Sequence, residues 1–133
     1  MANMDKSDNK IAILFCACSG ACPSMAKIDF WALAEQVRLE LGERIEFMAL
    51  HPRLCEENGE KLMGRVLADD ILVITSACAE KKQAKLLREG FANAGVPMDE
   101  HHWLPLSMAQ EDTPAVFEKI RTALEQVNLT NGE

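Results

Sequence analysis

Two uninterrupted apolar runs constrain this chain most: Ile11-Ala12-Ile13-Leu14-Phe15 and Ile71-Leu72-Val73-Ile74. A strand with one wet face alternates apolar and polar residues. A run with no polar member predicts burial on both faces, as in a parallel sheet covered by helices. Amphipathic segments follow both runs. From Asp29 to Leu41 the residues Phe30, Leu33, Ala34, Val37 and Leu41 recur at helical spacing, and Gly42 is a stop. From Glu80 to Ala94 the residues Ala84, Leu87, Phe91 and Ala94 share one face, and Gly95 ends the pattern. Between these, Ile45 to Leu50 reads as a second strand ending at Pro52. A helix follows from about Glu56 to Ala68, carrying Leu62, Met63, Val66 and Leu67 as its stripe. His102 to Leu106 is the weakest strand candidate. Thr113-Pro114 opens a last helix, with Val116, Phe117, Ile120, Leu124 and Val127 turned inward.

The order is therefore β-α-β-α-β-α-β-α. Each connection is long enough to cross over a sheet face, which requires parallel strands and favours right-handed crossovers. The predicted fold class is α/β: a three-layer sandwich around a four-stranded parallel sheet in flavodoxin-like order 2-1-3-4. Residues 10–127 form a single domain in this reading, flanked by flexible termini at 1–9 and 128–133.

Charge and composition narrow the function. Fourteen Lys and Arg against 21 Asp and Glu give 14 − 21 = −7, which disfavours a nucleic-acid reader. No apolar stretch approaches the length of a membrane span, and Met1 to Lys10 lacks the apolar segment of a secretory signal, so a cytoplasmic protein is expected. Five cysteines, an odd number, then argue against a disulfide framework.

What the thiols share is their place. Cys16 ends the first strand, Cys18 and Cys22 follow it, Cys55 follows the second strand, and Cys78 follows the third. In a parallel sheet those loops lie on one edge, the carboxyl edge. In order 2-1-3-4 the three strands are also neighbours, so the thiols are expected to converge at the switch point where open α/β sheets place ligands. A single Cys past a buried strand is readily explained by packing alone; five on one edge are not.

Three chemistries can use such a group. Zinc takes four thiolates, but paired Cys-x-x-Cys knuckles are absent. Thiol–disulfide exchange could use Cys18 and Cys22, leaving Cys55 and Cys78 unexplained. An iron–sulfur cluster takes four thiolates at irregular spacing, and its net negative charge suits an edge rich in helix N-termini. Lys81 and Lys82 could face such an anion, although a solvated helix face is the simpler reading. The same loops exclude rivals: no G-x-G-x-x-G follows Phe15, no Walker A sequence occurs, and no Arg stands between Cys16 and Lys27 to serve a phosphatase-like cysteine. His101 and His102 are adjacent and cannot share a ligand on a strand. His51 reads as a turn residue, with a donor role toward sulfur as the alternative. Trp31 and Trp103 are expected to pack helix on sheet.

The cysteine pattern resembles the N-terminal iron–sulfur domain found in the A-type polypeptide of heterodisulfide reductase. Cys16-Ala17-Cys18 is similar to that family's Cys-x-Cys-Gly opening. Cys55-Glu56-Glu57-Asn58-Gly59 resembles its Cys followed four residues later by Gly, and Ser76-Ala77-Cys78 its Ala-Cys-Ser after a Val/Ile strand. Ala94-Gly95-Val96-Pro97 resembles its Ala-Gly-Leu-Asn-Pro, and Met108-Ala109 matches the start of a later block. The similarity covers about Ile11 to Ala109. A more distant resemblance is to the delta subunit of methyl-viologen-reducing hydrogenase, which typically carries Cys-x-x-Cys in its first loop.

The resemblance implies an iron–sulfur electron-transfer module or subunit of an anaerobic redox complex, not a stand-alone enzyme. Its partner would be a larger redox protein. It implies Cys16, Cys18, Cys55 and Cys78 as cluster ligands, and [4Fe–4S] in preference to [2Fe–2S]. The chain departs from the family at three points. Ser19 displaces the Gly after Cys-x-Cys, no Cys follows Gln110-Glu111-Asp112-Thr113, and the reductase's flavin domain and ferredoxin motifs are absent. Cys22 is either a replacement for the missing Cys or a spare. A metal-free thiol redox protein or sensor, and a zinc-binding or structural docking subunit, stay open as alternatives.

Overall fold

In the computed structural model, which describes residues 10–17, 25–52, 54 and 56–131, four strands form one parallel sheet in order β2-β1-β3-β4. The strands are β1 (Lys10–Cys16), β2 (Phe47–His51), β3 (Ile71–Ala77) and β4 (Trp103–Ser107). The helices are α1 (Phe30–Leu41), α2 (Glu57–Val66), α3 (Glu80–Leu86), α4 (Arg88–Ala94) and α5 (Thr113–Asn131). The expected α/β three-layer architecture and strand order are what the chain adopts.

The two apolar runs become the two central strands. Every residue of β1 after Lys10 is buried, as is every residue of β3 after Ile71. With right-handed crossovers, the step from β1 out to β2 and the longer step back to β3 put their helices on opposite faces. The core divides accordingly. Ile11, Ile13, Phe15 and Ile74 pack with Leu33 and Val37 of α1 and Ile120 and Leu124 of α5. Ala12, Leu14, Cys16 and Val73 pack with Met63 of α2 and Phe91 of α4 on the other face. No described helix is long and apolar enough to cross a membrane.

Local signals set most of the boundaries. Asp29 is the N-cap of α1, its side chain accepting from the N–H of Ala32 at 3.0 Å, and its own N–H reaches Thr113 Oγ1 at 2.8 Å. That bond ties the starts of α1 and α5. Gly95 ends α4 in the left-handed conformation at φ 73°, where a residue without Cβ carries no steric penalty. The helix expected over Glu80 to Ala94 is instead two pieces. Leu87 sits at φ −98°, ψ 0°, which opens the turn between them. Gly90, in the first turn of α4, weakens the helix locally and packs so tightly that a Cβ there would meet Met63 Sδ at 3.2 Å. At its far end α5 runs on to Asn131, past Val127.

The turn between β4 and α5 holds the one non-glycine residue with positive φ among those described, Gln110 at 65°. Its exposed side chain offers little in return for a backbone that disfavours non-glycine residues by about 1 kcal/mol. Replacing Gln110 with Gly should therefore raise stability by about 0.5 kcal/mol, after the larger entropy of the unfolded glycine chain is subtracted. The readout is a higher denaturant midpoint at unchanged m; a lower midpoint refutes the strain.

Candidate functional site

The carboxyl ends of β2, β1 and β3 lie side by side, and two of the five thiols are described there. Cys16 is the last residue of β1, paired in register with His51 at the end of β2. It is buried on the sheet face that carries Met63 and Phe91. Its Sγ is not bare: the backbone N–H of Leu54 points to it, with N···S 3.4 Å. Leu54 is the residue before Cys55 in the sequence. Cys78 directly follows β3 and is half-buried. Because Phe15 pairs with Ser76, the next step along both strands sets Cys16 beside Ala77, with Cys78 one residue further. Cys18, Cys22 and Cys55 lie outside the described residues.

Two packing features hold this edge. A Cβ on Gly59, in the first turn of α2, would collide with the backbone of Leu54. Only a glycine lets that turn close against the segment that reaches Cys16. On the β3 side, buried Gln83 of α3 takes the hydroxyl proton of Thr75 on Oε1 at 2.5 Å. Its Nε2 donates to the carbonyls of Cys78 at 2.6 Å and Leu106 at 3.0 Å. Trp103 Nε1 in turn donates to Thr75 Oγ1 at 2.8 Å. The chain of bonds pins the carbonyl of Cys78 to α3 and β4 through one side chain. Neither Gly59 nor Gln83 was marked as a site residue by sequence reasoning. For Gln83 a signal existed, since it lies four residues before Leu87 on the inward helix face.

Other expected contributors fall elsewhere. His51 is the final residue of β2 and not a turn residue, and its carbonyl accepts from the N–H of Ala17 at 2.9 Å. Lys81 and Lys82 are exposed on α3. His102 lies at the opposite edge of the sheet, before β4, where its Nδ1 is 2.6 Å from Asp99 Oδ1. That hydrogen bond holds the Asp99 carboxyl below its ordinary range. Trp103 packs edge-on against Phe91, with ring centroids 5.9 Å apart, as expected. Trp31 does not pack on the sheet: it is 79% exposed. It follows Phe30, and one residue along a helix is a rotation of about 100°, which carries it off the buried stripe.

Among the described residues, no three His, Cys, Asp or Glu side chains gather as a metal site. Those residues do offer a donor set suited to thiolate chemistry, with two thiols on adjacent strand ends and a backbone N–H aimed at one of them. Ser76 is fully buried with its hydroxyl unpaired, but it lies in register with Phe15 on the α1–α5 face, away from Cys16. Fold and site together define an open parallel α/β sheet with thiols at its carboxyl edge. No family model matches the chain, and neither does any curated protein.

Proposed function

We propose that the chain is an iron–sulfur electron-transfer module, working as a subunit or small carrier for a larger redox protein of the heterodisulfide-reductase or hydrogenase type. Cys16, Cys18, Cys55 and Cys78 would hold the cluster, with Cys22 a replacement or spare. The observation that carries the reading is the N–H of Leu54 directed at buried Cys16 Sγ, one residue in sequence from Cys55. Backbone N–H groups aimed at cysteine sulfur suit a thiolate that stays ionised, and they disperse the negative charge a cluster brings. A cluster would supply one-electron transfer. The chain's own part is to hold the thiolates, limit water at Cys16 and set the potential through that N–H. Between the two cluster types, [4Fe–4S] is preferred by resemblance.

Anaerobic purification followed by iron and acid-labile sulfide analysis tests this. The expected result is a coloured protein with about four irons and about four sulfides per chain. Replacing Cys78 with Ser should abolish cluster retention while the far-ultraviolet dichroism stays intact, because the half-buried side chain contributes little to the core. A protein that remains colourless and iron-free after anaerobic reconstitution overturns the reading. One equivalent of zinc without sulfide would make it a structural docking module. A reversible disulfide lost on replacing Cys22 would make it a thiol sensor.

A further inference from the structure

The cations of this chain are unevenly answered. On α1, Arg38 pairs with Glu35 at 2.9 Å; on α5, Arg121 lies between Glu118 and Glu125, and Lys119 reaches Glu111 at 3.0 Å. Lys81, Lys82 and Lys85 of α3 and Arg88 of α4 are all exposed, and none makes an ion pair among the described residues. Their arrangement works against the helix. Lys81 and Lys85 are four residues apart, while Lys82 and Lys85, and Lys85 and Arg88, are three apart. At those spacings like charges on a helix repel. Lys81 and Lys82 also stand in the first turn of α3, where the helix dipole disfavours positive charge. Leu86 is 37% exposed among them. The inward side of the same segment is satisfied by buried Gln83 and Leu87. A surface that breaks local rules with no gain to its own fold is where binding is expected.

Charge decides what fits. Residues 79–95 hold four cations against two anions, a net +2, so the rest of the chain carries −7 − 2 = −9. An acidic partner is repelled by that remainder and attracted by this face, which orients its approach. Because α3 starts two residues after Cys78, the orientation brings such a partner to the half-buried thiol at the end of β3. An extended polyanion such as DNA, or an anionic membrane, would overrun the patch and meet the acidic remainder. A compact protein touches the patch alone. Leu86 also needs an apolar contact, which a protein interface offers and a phosphate backbone does not.

We infer that the exposed face of α3 and α4, with Lys81, Lys82, Lys85 and Arg88 around Leu86, docks an acidic protein surface. That the partner is a redox protein rests on the electron-transfer reading; the docking itself does not. Fluorescence anisotropy of dye-labelled flavodoxin, a small acidic redox protein used as the probe, tests it on the full chain as purified. The expected result is saturable binding at low salt that weakens as ionic strength approaches about 0.15 M. Lys81→Glu should weaken that binding about tenfold. The same variant should raise the denaturant midpoint of the free chain, because it turns a repelling pair into a Glu–Lys pair and sets an acid in the first turn. Leu86→Ala should weaken binding about fivefold with its salt dependence kept. No saturable, salt-sensitive binding of flavodoxin overturns the inference, as does binding that Lys81→Glu leaves unchanged. A midpoint lowered by Lys81→Glu would mean that the lysine serves the fold, and equal binding of double-stranded DNA or phosphatidylglycerol vesicles would mean a general anion surface; either overturns it too. Iron content is measured separately, so failure of the docking and failure of the cluster reading are distinguishable.

Discussion

Replacing Gly59 with Ala should destabilise the protein by about 2 kcal/mol or more, although the same change in most helices stabilises. Alanine is favoured over glycine in a helix interior by about 1 kcal/mol. Against that, the added methyl would enter space held by Leu54's own backbone. A backbone cannot step aside as the end of a flexible side chain can. Either the first turn of α2 lifts from the sheet or Leu54 retreats. The second choice withdraws a side chain that is 1% exposed and breaks the N–H bond to Cys16 Sγ. Overpacking of this kind costs about 1–3 kcal/mol, with immovable neighbours at the upper end, and the lost bond adds about 1 kcal/mol. Gly64, five residues on in α2, supplies the control. A Cβ there meets nothing within 4 Å, so Gly64→Ala should raise stability by about 0.5–1 kcal/mol. Denaturant midpoints of the two variants should move in opposite directions; if both rise, the close approach at Gly59 is not what the structure holds. Loss of iron retention in Gly59→Ala would further tie that approach to the thiol edge.

How much of this was legible in the sequence depends on what kind of group carries the information. Central strands were legible because complete apolar runs leave no other arrangement, and Ile11–Phe15 and Ile71–Ile74 lie in β1 and β3. The positions of Cys16 and Cys78 at strand ends followed from those runs. The break at Leu87 was not legible, because Leu87 and Phe91 keep one face whether or not the helix bends between them. Trp31 reads as a packing residue on chemistry alone, whereas its helical phase relative to Phe30 and Leu33 places it outside. The donor to Cys16 could not be foreseen at all, since a backbone N–H carries no residue signature. Gly59 falls between these cases. Its spacing from Cys55 is visible as a pattern, but its reason, a first turn pressed onto Leu54, is a tertiary contact with no residue signature of its own.

Gln83 is the second position where a small change should have a large effect. Its amide bonds three partners at once: the fully buried Thr75 hydroxyl and the half-buried Cys78 and Leu106 carbonyls. The two carbonyls can only accept, so the nitrogen must face them and the oxygen must face Thr75. Replacement by Leu keeps the volume but leaves both carbonyls without that donor and the hydroxyl without its acceptor. The fully buried Thr75 hydroxyl then lacks its acceptor, at about 1–3 kcal/mol, and each carbonyl loses one of its bonds, at about 1 kcal/mol, so with partial relaxation Gln83→Leu should destabilise by about 3 kcal/mol. Gln83→Glu separates polarity from shape. An ionised carboxylate would place negative charge against two carbonyl oxygens, so the folded state favours the protonated acid and raises its pKa above the unfolded value near 4.3. The native state then binds more protons than the unfolded one as pH rises from about 4 toward neutrality, and stability must fall over that interval. Below about pH 4 the acid is neutral in both states and can donate to one of the two carbonyls, so the variant should recover part of its loss. Unfolding midpoints of wild type and Gln83→Glu, measured across this range, should therefore converge toward the acid side and diverge toward neutral pH. A gap that does not change with pH would mean that the side chain fills space and does not bridge the strands, and the carbonyl of Cys78 would then owe its position to something else.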